Sequence, residues 1–116
     1  MADLRAHLDR IAARPDVSSV LLVSDEGLPI AHAGVPADWE ELAALGATLL
    51  HRARALGPAV GRGTLRLLAA EYAGGIAAVL PAAPGAGLVV LAAPGTNAGV
   101  LLFDLERQGQ TLAAML

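Results

Sequence analysis

The chain has no cysteine and no lysine, and only Trp39, Tyr72 and Phe103 among its 116 residues are aromatic. Without cysteine there are no disulfides, no Cys-ligated zinc, no iron–sulfur cluster and no thiol chemistry. Without lysine a P-loop cannot form, because that motif needs a lysine to reach the outer phosphates. Three aromatics give no stacking platform for single-stranded nucleic acid. A net charge of −3 is the wrong sign for a nucleic-acid footprint, so no nucleic-acid partner is expected. Charge of either sign is scarce, at 16% of residues against 55% hydrophobic. A chain of this length builds one core, read here as a single domain over residues 1–116, and so much apolar surface favours association.

A long uncharged stretch, Tyr72 to Phe103, raises the question of a membrane. It is interrupted by Pro81, Pro84, Pro94 and six glycines, so no continuous helix of roughly 20 residues fits and membrane insertion is not expected. The opening Met1-Ala2-Asp3-Leu4-Arg5 lacks the basic-then-apolar order of a signal peptide. The expected location is the cytoplasm.

Candidate catalytic groups are few and scattered. Gly85-Ala86-Gly87 lacks the third glycine and the following helix of a dinucleotide fingerprint. His7, His32 and His51 fall on three different elements, without the paired spacing of metal ligands. Ser18, Ser19 and Ser24 flank a strand outside any Gly-x-Ser-x-Gly context. The acidic neighbours Asp25-Glu26 and Glu40-Glu41 diverge, and suit turn chemistry and helix capping better than acid–base catalysis. No catalytic residue, metal or cofactor is expected; the chemistry points to surfaces.

The central stretch, Asp38 to about Leu56, reads as one helix, with Asp38 and Glu41 resembling a capping box and Gly57-Pro58 closing it. Leu42, Leu45, Leu49, Ala53 and Leu56 form one apolar stripe, expected to face the core. Trp39, Ala43, Ala47 and Leu50 form a second, widening the apolar arc to roughly 200°. One sheet cannot cover that arc, so the second stripe, with Arg54, is expected to meet a second copy of the helix. Around it the pattern gives a first helix carrying Leu4, Leu8 and Ile11. Strands follow at Val20–Val23 and Leu28–Ala33, joined by a turn in which Gly27 supplies a positive φ. Pro29 marks the second of these as an edge. Thr64–Glu71 alternates as a strand with Thr64, Arg66, Leu68 and Ala70 on one side, and as an exposed edge it is expected to pair with its own copy. Ile76–Leu80 and Leu88–Ala92, apolar at nearly every position, require helices on both faces of the sheet. A last helix, capped at Thr96 or Asn97, carries Leu101, Leu105, Leu112 and Leu116. The class is α+β in three layers.

Pro15-Asp16-Val17, the apolar strand Val20-Leu21-Leu22-Val23 and then Asp25-Glu26-Gly27-Leu28-Pro29-Ile30-Ala31 resemble the roadblock/LC7 domain family, the modules of dynein light chains and of bacterial regulators. The Ala-rich central helix and the alternation of glycines and strands after it match as well, over about 100 residues at domain size. The resemblance implies a profilin-like sandwich: a five-stranded antiparallel sheet with one long helix on one face and two helices on the other. It implies a homodimer with paired central helices and joined third strands, whose helical face engages a small Ras-like GTPase. That surface would comprise Trp39, Glu40, Ala43, Ala47, Leu50 and Arg54, with residues near Gly61–Thr64 extending it. Arg54 or Arg62 would be the candidate to lend charge to phosphoryl transfer, but no such role is expected of either, because regulation by reshaping the switch loops of a GTPase needs no catalytic residue here.

Overall fold

A computed structural model describes residues 2–116 as helix α1 (Ala2–Ala12), strands β1 (Val17–Ser24) and β2 (Pro29–Gly34), helix α2 (Trp39–Ala59), strands β3 (Leu68–Tyr72), β4 (Gly75–Ala83) and β5 (Ala86–Ala92), and helix α3 (Ala98–Met115). The strands form one antiparallel sheet in the order β2-β1-β5-β4-β3. The long helix α2 covers one face, and α1 and α3 cover the other, as the doubly apolar strands require.

Local chemistry sets most of the boundaries. Gly27 turns β1 into β2 at φ 84°, a conformation that is cheap only without a Cβ. The β2 edge carries Pro29 and a bulge between Leu22 and Val23 of its neighbour. Asp38 caps α2 by accepting from the Glu41 N–H at 3.1 Å, and Asn97 caps α3 by accepting from the Val100 N–H at 3.2 Å. Thr96 instead donates its hydroxyl to the Ala93 carbonyl.

The larger core cluster lies between the sheet and the α1/α3 layer, where Leu4, Leu8, Leu101, Leu105 and Leu112 meet Val20, Leu22, Leu80, Leu88 and Val90. Arg14 ties this layer together by donating to Asp16 after α1 and to Asp104 on α3 at 2.9 Å. The bond from Arg14 holds the Asp16 carboxyl below its ordinary range. Asp3 lies in the first turn of α1, and Leu116 follows α3 and stays exposed.

Two boundaries differ from the sequence pattern. α2 runs through Gly57-Pro58 to Ala59: Pro58 has no N–H to give, and the last turn is closed by the N–H groups of Val60, Gly61 and Arg62, which donate to the carbonyls of Leu56, Gly57 and Pro58. β3 begins at Leu68, not at Thr64. Extending its register would set Arg66 opposite Pro81 of β4, which has no N–H to give to a ladder. Thr64 and Arg66 therefore lie in the connection, where Leu65 packs toward α2 and Leu67 toward the α3 side.

Candidate interaction surface

The face of the sheet under α2 is built from cross-strand rows. One row runs Leu68, Val79, Val89, Leu21, His32, and the ring of His32 ends it by stacking on Trp39, centroids 4.2 Å apart. Ala43, Gly46, Ala47 and Leu50 of α2 press onto these residues. The contact is close: a Cβ added to Gly46 would stand 2.6 Å from Val89 Cγ2, and one added to Gly87 of β5 would collide with Leu50 Cδ1. Only small side chains fit under the helix at this separation, and Leu50 is accommodated by the bare backbone of Gly87.

This reverses the expected orientation of α2. Ala43, Ala47 and Leu50, expected to face a partner, are 0–6% exposed and belong to this chain's own core. The leucine stripe expected to face the core is the one left outside: Leu45, Leu49 and Leu56 are 43–61% exposed, beside half-buried Leu42 and Ala53. Trp39 is half-buried against His32, and Glu40 is exposed in the first turn of the helix.

The two flanks of α2 differ in chemistry. On one, Arg54 pairs with Asp25 at 3.4 Å and the His51 ring lies 2.9 Å from the Asp25 carbonyl, so this flank looks toward the β1–β2 turn. The leucine flank looks the other way. On that side the next row of the sheet, Ala70, Ala77 and Leu91, is only partly covered. The leucines of α2 and this end of the sheet thus make one apolar surface that runs to the β3 edge.

The two sheet edges are not equivalent either. Pro29 and the bulge spoil β2 as a template for another strand, whereas β3 pairs with β4 in unbroken register from Leu68 to Tyr72 and contains no proline. A regular, unguarded edge is the one suited to pairing.

A groove of about 700 Å³ opens between the end of α2, the connection into β3, the β4–β5 turn and α3. Leu65, Leu80, Pro81 and Ala113 give it an apolar lining. The charged groups at its rim are engaged with partners, Arg54 with Asp25 and exposed Arg66 with Glu106 of α3, and Thr64 lies exposed beside them. The histidines do not converge: His7 is buried in α1, His32 stacks on Trp39 and His51 rests on the β1–β2 turn. Ser19 donates to the Val35 carbonyl and Ser18 to that of Leu91. Among the described residues no helix is long and apolar enough to cross a membrane.

Known proteins share this arrangement. A roadblock/LC7 domain from Streptomyces avermitilis superposes with a TM-score of 0.85 at 25% identity, over 96% of this chain and 95% of that one. MglB of Myxococcus xanthus gives 0.89 at 21% identity, over 99% and 95%. An MglB described as having a tetrameric arrangement gives 0.78 at 20% identity, over 97% and 85%. No curated protein is significantly similar to the chain in sequence. The family model of the Roadblock/LC7 domain matches residues 4–92, from α1 through the whole sheet, and the chain belongs to that family of small regulatory domains.

Proposed function

We propose that this chain acts in the cytoplasm as a non-catalytic, homodimeric regulator or adaptor of a small Ras-like GTPase. The observation that carries the proposal is the apolar surface made by the exposed leucine flank of α2 and the unguarded β3 edge. A protein rarely leaves helix leucines and a free strand edge side by side unless something covers both, and a second copy covers both with one two-fold operation. In this proposal Leu42, Leu45, Leu49, Ala53 and Leu56 of α2 meet the second copy together with Leu68 and the rest of β3, a reading supported by the exposure of Leu45, Leu49 and Leu56. Glu40, Trp39 and the outward residues of the paired helices remain for the GTPase. Arg66 and Thr64 lie in the connection that leads into β3, and Arg54 lies on the opposite flank of α2. The GTPase as partner class comes from the family resemblance, and the residues add only that a broad helical face is available for it.

The test is a titration against Ras-like GTPases of the same genome, each loaded with GDP or a slowly hydrolysed GTP analogue, with hydrolysis followed in parallel. Binding to one nucleotide form over the other is the expected result, and the change in hydrolysis gives its direction. Equal binding to both forms leaves an adaptor without regulatory effect, because a ligand blind to state shifts no equilibrium. Binding to none removes the GTPase from the proposal and leaves the dimeric platform.

A further inference from the structure

We propose that the groove between the end of α2, the connection into β3, β4 and α3 binds a small amphiphile with a hydrocarbon body and a carboxylate head. The site uses none of the leucines of the α2 flank, and it depends on neither the dimer nor the GTPase proposed above.

The groove has a local cause. Pro81 has no N–H for a ladder, so the pairing of β3 with β4 stops at Leu68 and Val79. Beyond that pair, Leu80–Ala83 of β4 face the groove rather than a neighbouring strand, and the chain from Gly63 to Arg66 forms the far wall. Close approaches hold the walls in place. A Cβ on Gly57 would collide with the Gly63 carbonyl, so the loop is seated directly on the last turns of α2. One on Gly109 would stand 3.0 Å from Leu80 Cδ1, so α3 is seated as closely on β4. The space left between them, about 700 Å³ with an apolar lining, has the size and character of a small-molecule site.

Charge selects the occupant. From Leu42 to Ala70 the sequence has no acidic residue and four arginines, Arg52, Arg54, Arg62 and Arg66, in a chain whose net charge is −3. Folding gathers three of them here: Arg54 and Arg66 line the groove, and Arg62 is exposed in the loop beside Gly63. Glu106 is the one carboxylate among the described lining residues. Arg66 gives Glu106 a single guanidinium nitrogen, and Arg54 gives Asp25 one at 3.4 Å. A guanidinium carries five N–H donors, so both arginines keep donors for a further carboxylate, the group each already holds. A cationic head would meet the same arginines as like charge. The floor, with buried Leu80 and Ala82, lies below the rim between β4 and α3, so the ligand enters singly from water rather than from a bilayer.

The probe is decanoate, titrated below its micellar concentration at neutral pH into the isotope-labelled full chain and followed by amide NMR shifts. Decyltrimethylammonium is the cationic counterpart of the same alkyl length. Decanoate is expected to saturate and to shift the amides of Leu65, Leu80 and Gly109, and decyltrimethylammonium to bind at least tenfold more weakly. Arg54→Gln/Arg66→Gln is expected to weaken decanoate at least tenfold and to remove the preference between the two heads. Ala113→Trp, at an exposed position of α3 that lines the groove, is expected to abolish binding by filling it. Equal affinity for the two amphiphiles in the unmodified chain overturns the carboxylate head. Shifts confined to Leu45 and Leu49 on the α2 flank, no shift at all, or undiminished binding by Ala113→Trp overturns the groove as the site. Co-sedimentation of the chain with vesicles of phosphatidylglycerol and phosphatidylcholine, with the groove amides shifting, overturns a ligand taken singly from water.

Discussion

The two apolar stripes of α2 are both rich in hydrophobic residues, and the structure uses them in opposite ways. The stripe of small residues, Ala43, Gly46 and Ala47 with Leu50, is buried on the sheet; the stripe of leucines, Leu45, Leu49 and Leu56, is left outside. Hydrophobicity alone would give the leucines to the core, since each contributes more burial than an alanine. What decides is separation: Gly46 sits on Val89 and Leu50 on Gly87 so tightly that a larger residue has no room. The inward face of this helix is set by fit, and the larger hydrophobic residues become an outward surface.

The widest gap between the stripes is expected from a charge placed on each. Ala47→Glu buries an unpaired carboxylate in the cluster of Leu21, Val23, Val79 and Val89 and should cost about 3–5 kcal/mol, a large share of a small domain's stability. Urea denaturation by circular dichroism should show a much lower midpoint or no folded baseline. A folded Ala47→Glu chain of unchanged stability would contradict the burial of that stripe. Next in size is Gly46→Ala, where one methyl meets Val89 and should cost about 1–3 kcal/mol through overpacking. Alanine is otherwise the better helix former, so stabilisation in the same assay would mean that α2 can rise off the sheet.

A smaller effect tests the opposite face of the sheet. His7 is 6% exposed and its Nε2 has no hydrogen-bond partner among the described residues. Burial, and then the nearby Arg10 charge, lower its pKa from the ordinary 6.5, against opposing pulls from the Gln108 side chain and then Asp104. Between the lowered folded pKa and 6.5 the unfolded chain binds more protons, so stability is retained above 6.5 and lost as pH falls below it. Denaturation midpoints at pH 7.5 and 5.5 should show this loss, and His7→Met should reduce the slope. The smallest effect is at the groove. Arg66→Ala removes an ion pair whose arginine is 77% exposed, so it should change stability by less than about 1 kcal/mol. A larger loss would mean that the Arg66–Glu106 contact helps to hold the connection into β3.

Much of the fold was legible because its signals are local. The positive φ at Gly27, Pro29 on an edge strand, the Asp38 and Asn97 caps, and the doubly apolar strands that demand two helical layers each follow from a few neighbouring residues. The start of β3 was not, because what ends the ladder is Pro81, fifteen positions beyond Arg66 and opposite it only once β4 has folded back. The orientation of α2 was harder still. Two adjacent apolar stripes give no periodic signal to separate them, and the deciding groups, Gly87 and Val89, stand about forty residues away on another strand. One signal was available: Gly46 lies on the alanine side of the helix, and a glycine in mid-helix marks a close approach more readily than a free surface. That reading would have placed Leu45 and Leu49 outside, on the side of α2 where the contact is now proposed.

The most direct test of the account is sedimentation equilibrium on the wild-type chain and the Leu45→Glu/Leu49→Glu double variant, with circular dichroism to confirm folding. The account predicts a wild-type dimer and a folded monomer for the variant, with dimer affinity weakened at least a hundredfold. A variant that remains dimeric, or a wild-type chain that is monomeric at tens of micromolar, would contradict the claim that the leucine flank of α2 is where two copies meet.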